Sequence, residues 1–154
     1  MTTFVLALLF GVVAGSRTFM APTAVSWAAR TGSLALGGTP LAFLAHPIAP
    51  WVLTALALVE LVVDQLPNTP SRTVPMQFGA RLVSGALSGA AIGASGGALV
   101  AGLIAGVVGA VAGTLGGRAL RGWLAGAFGN DHPAAFIEDA IAIGAAVLLV
   151  VALP

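Results

Sequence analysis

Between residues 82 and 117 the chain carries no charged side chain, and this stretch limits the fold more than any other feature. It is about 36 residues long. As one helix it would measure roughly 54 Å, against about 30 Å for the hydrocarbon core of a bilayer. It must therefore double back. Ser95-Gly96-Gly97 is the natural turning point, because glycine reaches backbone conformations closed to other residues. The pattern predicts one helix over about residues 76–94 and another over about 98–118.

The rest of the chain has the same character. Hydrophobic residues make up 58% and charged residues 7%, where a soluble domain carries about 25% charged. So few charges cannot cover a surface that faces water, and the partner implied is a lipid bilayer. The 21 glycines fit this reading, since membrane helices use glycine for close backbone approach. All six basic residues are arginine and none lie in a run, which excludes a nucleic-acid surface. The absence of cysteine excludes disulfides, iron–sulfur clusters and thiolate metal sites. No phosphate-binding loop, dinucleotide fingerprint or nucleophile–base pair is present, so no cofactor or catalytic residue is expected, and an enzyme acting on a lipid headgroup, with Arg72, Arg81 and Arg118 clamping phosphate and a carboxylate as base, is the weakest of the readings. His46 and His132 each precede a proline and fall on opposite faces of the expected topology, so no metal site is expected either.

These features predict one integral membrane domain over residues 1–154, all-α, a polytopic transmembrane bundle of about five helices. The first covers about residues 4–29, interrupted only by Arg17, and is read as retained because no positive segment precedes it. A short interfacial turn is expected near residues 41–45. The second helix starts near Pro50 and ends near Leu66, followed by a polar loop that holds Arg72. Asn130 or Asp131 caps the fifth, with Pro133 in its first turn. Five crossings put Arg72, Arg118 and Arg121 on the side of the N-terminus and only Arg30 on the other. The positive-inside rule then makes the N-terminus cytoplasmic and the C-terminus external.

Gly85, Gly89 and Gly93 recur every four residues, and Gly102 and Gly106 continue the pattern. Such a run leaves one helix side without side chains, and it predicts glycine-zipper packing of the third helix on the fourth, or an oligomer interface. Charges within the apolar segments are the candidate functional residues, because each costs about 2.5–3.5 kcal/mol at a helix centre and persists only with a partner, water or a task. They are Arg17, Glu60, Asp64, Arg81, Arg118, Glu138 and Asp139. Glu60 and Asp64 share one helix face. All but the deeper Arg17 are expected in one polar layer, with an arginine bridging carboxylates of two helices. The layer serves either as a site for an ion, proton or anionic headgroup, or as a salt-bridge cluster that fixes helix register. The order Val-Ala-Gly, Arg, Trp, His-Pro, acidic helix occurs from Val13 and again from Val111, with unequal spacings, and would describe an inverted repeat if real.

Four strings resemble, as a set, a family of small bacterial integral membrane proteins classed as a domain of unknown function. They are Glu60-x3-Asp64-x-Leu66-Pro67-x-Thr69-Pro70-Ser71-Arg72-Thr73, Ala80-Arg81-x3-Gly85-x2-Ser88-Gly89, Gly15-Ser16-Arg17-Thr18 and Ile137-Glu138-Asp139-Ala140. The resemblance covers nearly the whole chain. It implies a bacterial inner-membrane location and carries no activity. The expected function is a small transporter or channel for an ion or small solute, working as a homo-oligomer or with a membrane-protein partner. The alternative is a non-catalytic membrane subunit or scaffold in which the charges serve assembly.

Overall fold

The computed structural model describes residues 2–65 and 73–153. Among them the chain is all-helical: α1 (Thr2–Ser16), α2 (Met20–Thr31), a 3-10 turn (Ala42–Ala45), α3 (Ala49–Val63), α4 (Pro75–Ser95), α5 (Leu99–Phe128) and α6 (Asp131–Val151). Six α-helices replace the expected five because the first apolar segment is two helices, broken at Arg17. A charge in the middle of an apolar helix needs polar partners, and ending the helix there leaves backbone groups that need polar partners of their own.

Contacts between elements give their directions. Thr3 of α1 lies beside Gly96, and the carbonyls of Gly15 and Ser16 meet Arg81, so α1 runs antiparallel to α4. The amides of Thr18 and Phe19 meet Glu60, whereas Trp27 bonds Thr54 and stacks edge-on against Trp51, so α2 runs antiparallel to α3. Glu60 faces Arg81, while Leu53 and Leu87 line one groove nearer the other end, so α3 opposes α4 as well. It follows that α2 folds back along α1. The two form a tight hairpin whose tip, Arg17 to Phe19, lies inside the bundle. Direction alternates through all six helices, and both termini lie at one end, with the α4–α5 turn. The expectation that the termini lie on opposite sides, and that Arg118 and Arg121 share the N-terminal side, is corrected by this extra reversal. An inverted repeat is also ruled out, because α1 and α5 run parallel.

Glycine decides how the central helices meet. A Cβ on Gly89 would stand 2.7 Å from Gly106 Cα, one on Gly93 2.8 Å from Gly102 Cα, and one on Gly85 2.6 Å from Ala110 Cβ. These three glycines therefore lie against α5. The same glycine-lined side of α5 also meets α1: a Cβ on Gly113 would come 2.8 Å from Val12 Cα, and one on Gly11 2.9 Å from Gly106 Cα. Such approaches exclude any side chain, so α1, α4 and α5 form a close-packed trio around Gly106. The α4–α5 turn falls where the sequence places it, with Gly97 at φ +72°. Asn130 caps α6 through His132 N at 3.1 Å. One expected boundary moves. α5 continues ten residues past Arg118, to Phe128, because an arginine at an apolar boundary extends toward water without ending its helix. The expected end of the second helix at Leu66 and the Arg72 loop lie outside the described residues.

Gly106→Leu should therefore abolish or strongly destabilise the fold, since overpacking costs about 1–3 kcal/mol even where side chains can yield, and here the neighbours are backbone. Gly122→Leu should fold normally, because a Cβ at Gly122 meets nothing within 4 Å. Thermal unfolding of the two variants in detergent checks the contrast.

Candidate functional site

The α1–α2 turn leaves carbonyls at the end of α1 and amides at the start of α2, all within an apolar bundle. Each set meets a partner of the right sign. Arg81 Nη1 donates to Gly15 O at 2.9 Å and to Ser16 O at 2.6 Å. Thr114 Oγ1 donates to Gly15 O at 3.1 Å, and Ser84 Oγ donates to Thr18 O. On the amide side, Glu60 Oε1 accepts from Thr18 N at 2.6 Å and Glu60 Oε2 from Phe19 N at 2.8 Å. The pairing follows the helix dipole, with a cation at the C-terminal end of α1 and an anion at the N-terminal end of α2. Arg81 and Glu60 stand 4.0 Å apart, so they also partner each other.

The side chain of Arg17 points from the tip toward α3 and α6. It pairs directly with Asp64 and Asp139, and Nη2 lies 3.8 Å from Glu138. One arginine thus joins carboxylates of two helices to the hairpin tip. A second row surrounds it. Gln65 Nε2 donates to Asp139 Oδ2 at 3.1 Å, and Ser16 Oγ to Glu138 at 3.5 Å. Arg121 Nη1 lies 3.7 Å from Glu138, and its Nε donates to Asp131 at 3.0 Å. Side-chain exposure runs from 0% at Arg17 and 2% at Glu138 to 10% at Glu60, 13% at Asp139 and 15% at Asp64. The centre of the layer is buried, and its rim reaches the surface.

Of the residues singled out in the sequence, Arg17, Glu60, Asp64, Arg81, Glu138 and Asp139 come together. Arg17 lies at their centre and not at a separate, deeper level. Arg118 is corrected: it is exposed on α5, with Nη1 3.5 Å from Thr73 Oγ1. Arg121, three residues on, takes the place expected for it, because the continued helix carries Arg121 to the bundle side. The available signal was the string Arg118-x2-Arg121, which places two arginines one turn apart, but ending the helix at Arg118 assigned the second to a loop. Thr114 and Ser84, isolated hydroxyls in small-residue helices, were also missed. Arg72 lies outside the described residues. Among those residues, no three His, Asp or Glu side chains are arranged to hold a metal ion.

Comparison with family models, curated proteins and solved structures returned no match to this chain.

Removing one member of a buried charge set leaves the others uncompensated, at about 3–5 kcal/mol. Arg17→Met should cost that much, since Asp64, Glu138 and Asp139 all face it. Arg118→Gln should leave stability nearly unchanged. Thermal melts of the two variants side by side should show a large loss for the first alone.

Proposed function

We propose that this is a small polytopic protein of the bacterial inner membrane that conducts or transports an ion or small solute, with the charged layer as its polar site. α5 and α6 are long and apolar enough to cross a membrane, and α1 and α3 are apolar but shorter. The outer surface supports a membrane setting for the whole bundle. Trp51 and Trp123 are 65% and 70% exposed, at opposite ends. Each lies nine residues from a layer-level residue, Glu60 or Thr114, which puts the two indoles roughly 27 Å apart along the axis, close to a hydrocarbon thickness. The four sequence strings support membership of the small bacterial membrane family.

The observation that carries the reading is the α1–α2 hairpin. Its arms measure about 22 and 18 Å, too short to cross, and its tip ends on the charges. A backbone break at membrane depth is tolerated only where it is buried in protein or lines a cavity, and in transporters such breaks mark the binding site. Orientation follows the arginines. Arg118 and Arg121 lie at the layer end and Arg30 at the other, so the layer end is assigned to the cytoplasm and both termini to the outside. Relative to five crossings, this moves the N-terminus to the outside and leaves the C-terminus there. Six helices alone enclose little volume, so a conduit would need a second copy or a membrane partner.

A second reading, a membrane subunit whose charges fix helix register, is favoured by one observation: Arg17 is fully buried and paired with carboxylates on both sides. Flux assays in proteoliposomes separate the two. Under the transport reading, wild-type vesicles pass a cation or protons faster than protein-free vesicles, and Asp64→Asn loses that flux while still purifying as a folded protein. Flux at the protein-free level across a panel of ions, with Asp64→Asn lost to misassembly, would establish the subunit reading instead.

A further inference from the structure

The geometry points to Glu60 as a proton-operated latch that holds the α1–α2 hairpin tip in place. The observation is the use made of its carboxylate. Both oxygens are engaged by adjacent backbone amides, Thr18 N at 2.6 Å and Phe19 N at 2.8 Å, which lie 42 and 41 residues away along the chain. α2 has no cap of its own: Phe19 stands at its N-cap position and offers no side-chain bond. Glu60 is therefore the cap of α2, supplied from another helix. Capping from within is constitutive, whereas capping from α3 joins two helices and can be released.

The chemistry of release is simple. A carboxylate is an acceptor at both oxygens, and two amides need two acceptors. Adding one proton to Glu60 turns one oxygen into a hydroxyl, a far weaker acceptor that must also place its own O–H. One N–H is then left buried with a poor partner, and the tip gains by moving toward water. With 10% of the Glu60 side chain exposed, the carboxylate lies on the rim of the layer, where protons have access. Several charged groups face it or lie in the same layer. Arg81 of α4 stands 4.0 Å away, Asp64 is one turn on along α3, Arg17 projects from the tip itself, Glu138 and Asp139 come from α6, and Arg121 comes from α5. Arg17 keeps its own pairs on α3 and α6 when Glu60 alone is protonated, so the tip loosens on its α2 side first. The latch regulates the polar site proposed above and rests on that reading for its purpose, but it is measurable without any flux.

Hydrogen exchange of the full chain in nanodiscs tests it, followed by mass spectrometry between about pH 8 and about pH 4 and corrected for the intrinsic pH dependence of exchange. The amides of Thr18 and Phe19 should lose protection by at least about tenfold on acidification, the scale of a lost bond to a charged group. Peptides from the glycine-packed parts of α4 and α5 should not follow. In Glu60→Gln the tip amides should be poorly protected at both pH values and indifferent to pH. Glu60→Asp, which keeps the carboxylate, should retain a pH response and stands in if the glutamine variant does not fold. Arg118→Gln, exposed on α5 outside the layer, should behave as wild type. Equal protection of the tip at both pH values in wild type would overturn the latch, and so would an undiminished pH response in Glu60→Gln. If the tip responds as expected but vesicles show no flux, the latch stands and the conduction reading falls.

Discussion

A helix that ends inside an apolar bundle leaves carbonyls at one side of the break and amides at the other, and neither water nor lipid is there to satisfy them. In this chain that debt arises at Arg17, and the rest of the structure is arranged around it. Arg81 and Thr114 come from α4 and α5 to the carbonyls, and Glu60 comes from α3 to the amides. The arginine that interrupts the apolar segment then joins Asp64 of the α3 end to Asp139 of α6. Every helix except α2 thus contributes a side chain to the layer, and α2 contributes its N-terminus.

The glycine trio makes this possible. Because α1, α4 and α5 meet backbone to backbone around Gly106, the end of α1 is held at a fixed height against Arg81 and Thr114. α3 is different: only Pro50 and Ala57 are buried along it, so apolar packing holds it weakly. Its tie to the bundle runs through Trp27 at one end and through Glu60 and Asp64 at the other. A peripheral helix fastened chiefly by its charges is one whose position depends on their state, which links the polar layer to movement.

Much of this was legible in the sequence, for physical reasons. An uncharged segment too long for one crossing dictates a hairpin, and Gly97 supplies its turn. The four-residue glycine spacing dictates a side-chain-free face. The cost of isolated charges dictates that Glu60, Asp64, Arg81, Glu138 and Asp139 find partners, and they do. What was not legible was the fold-back at Arg17. Gly15-Ser16-Arg17-Thr18 carries neither proline nor a glycine in a left-handed conformation, and the apolar pattern continues on both sides. The turn is dictated by side chains 40 to 120 residues away, which no local window contains. Missing it placed the N-terminus at the arginine-rich end, when it lies at the other. Arg121 was missed for the opposite reason, a helix ended too early at a charge that only marks where an apolar environment stops.

The hairpin is therefore the claim on which the account depends, and a distance across it is the most direct test. The chain has no cysteine, so spin labels can be placed at Thr3 and Thr31 alone. Pulsed electron resonance should give a separation within about two helix diameters, roughly 20–24 Å, because both positions lie at the same end of the bundle. A separation near 42 Å, the length of 28 residues in one continuous helix, would contradict the fold-back and with it the buried tip, the latch and the shared charged layer.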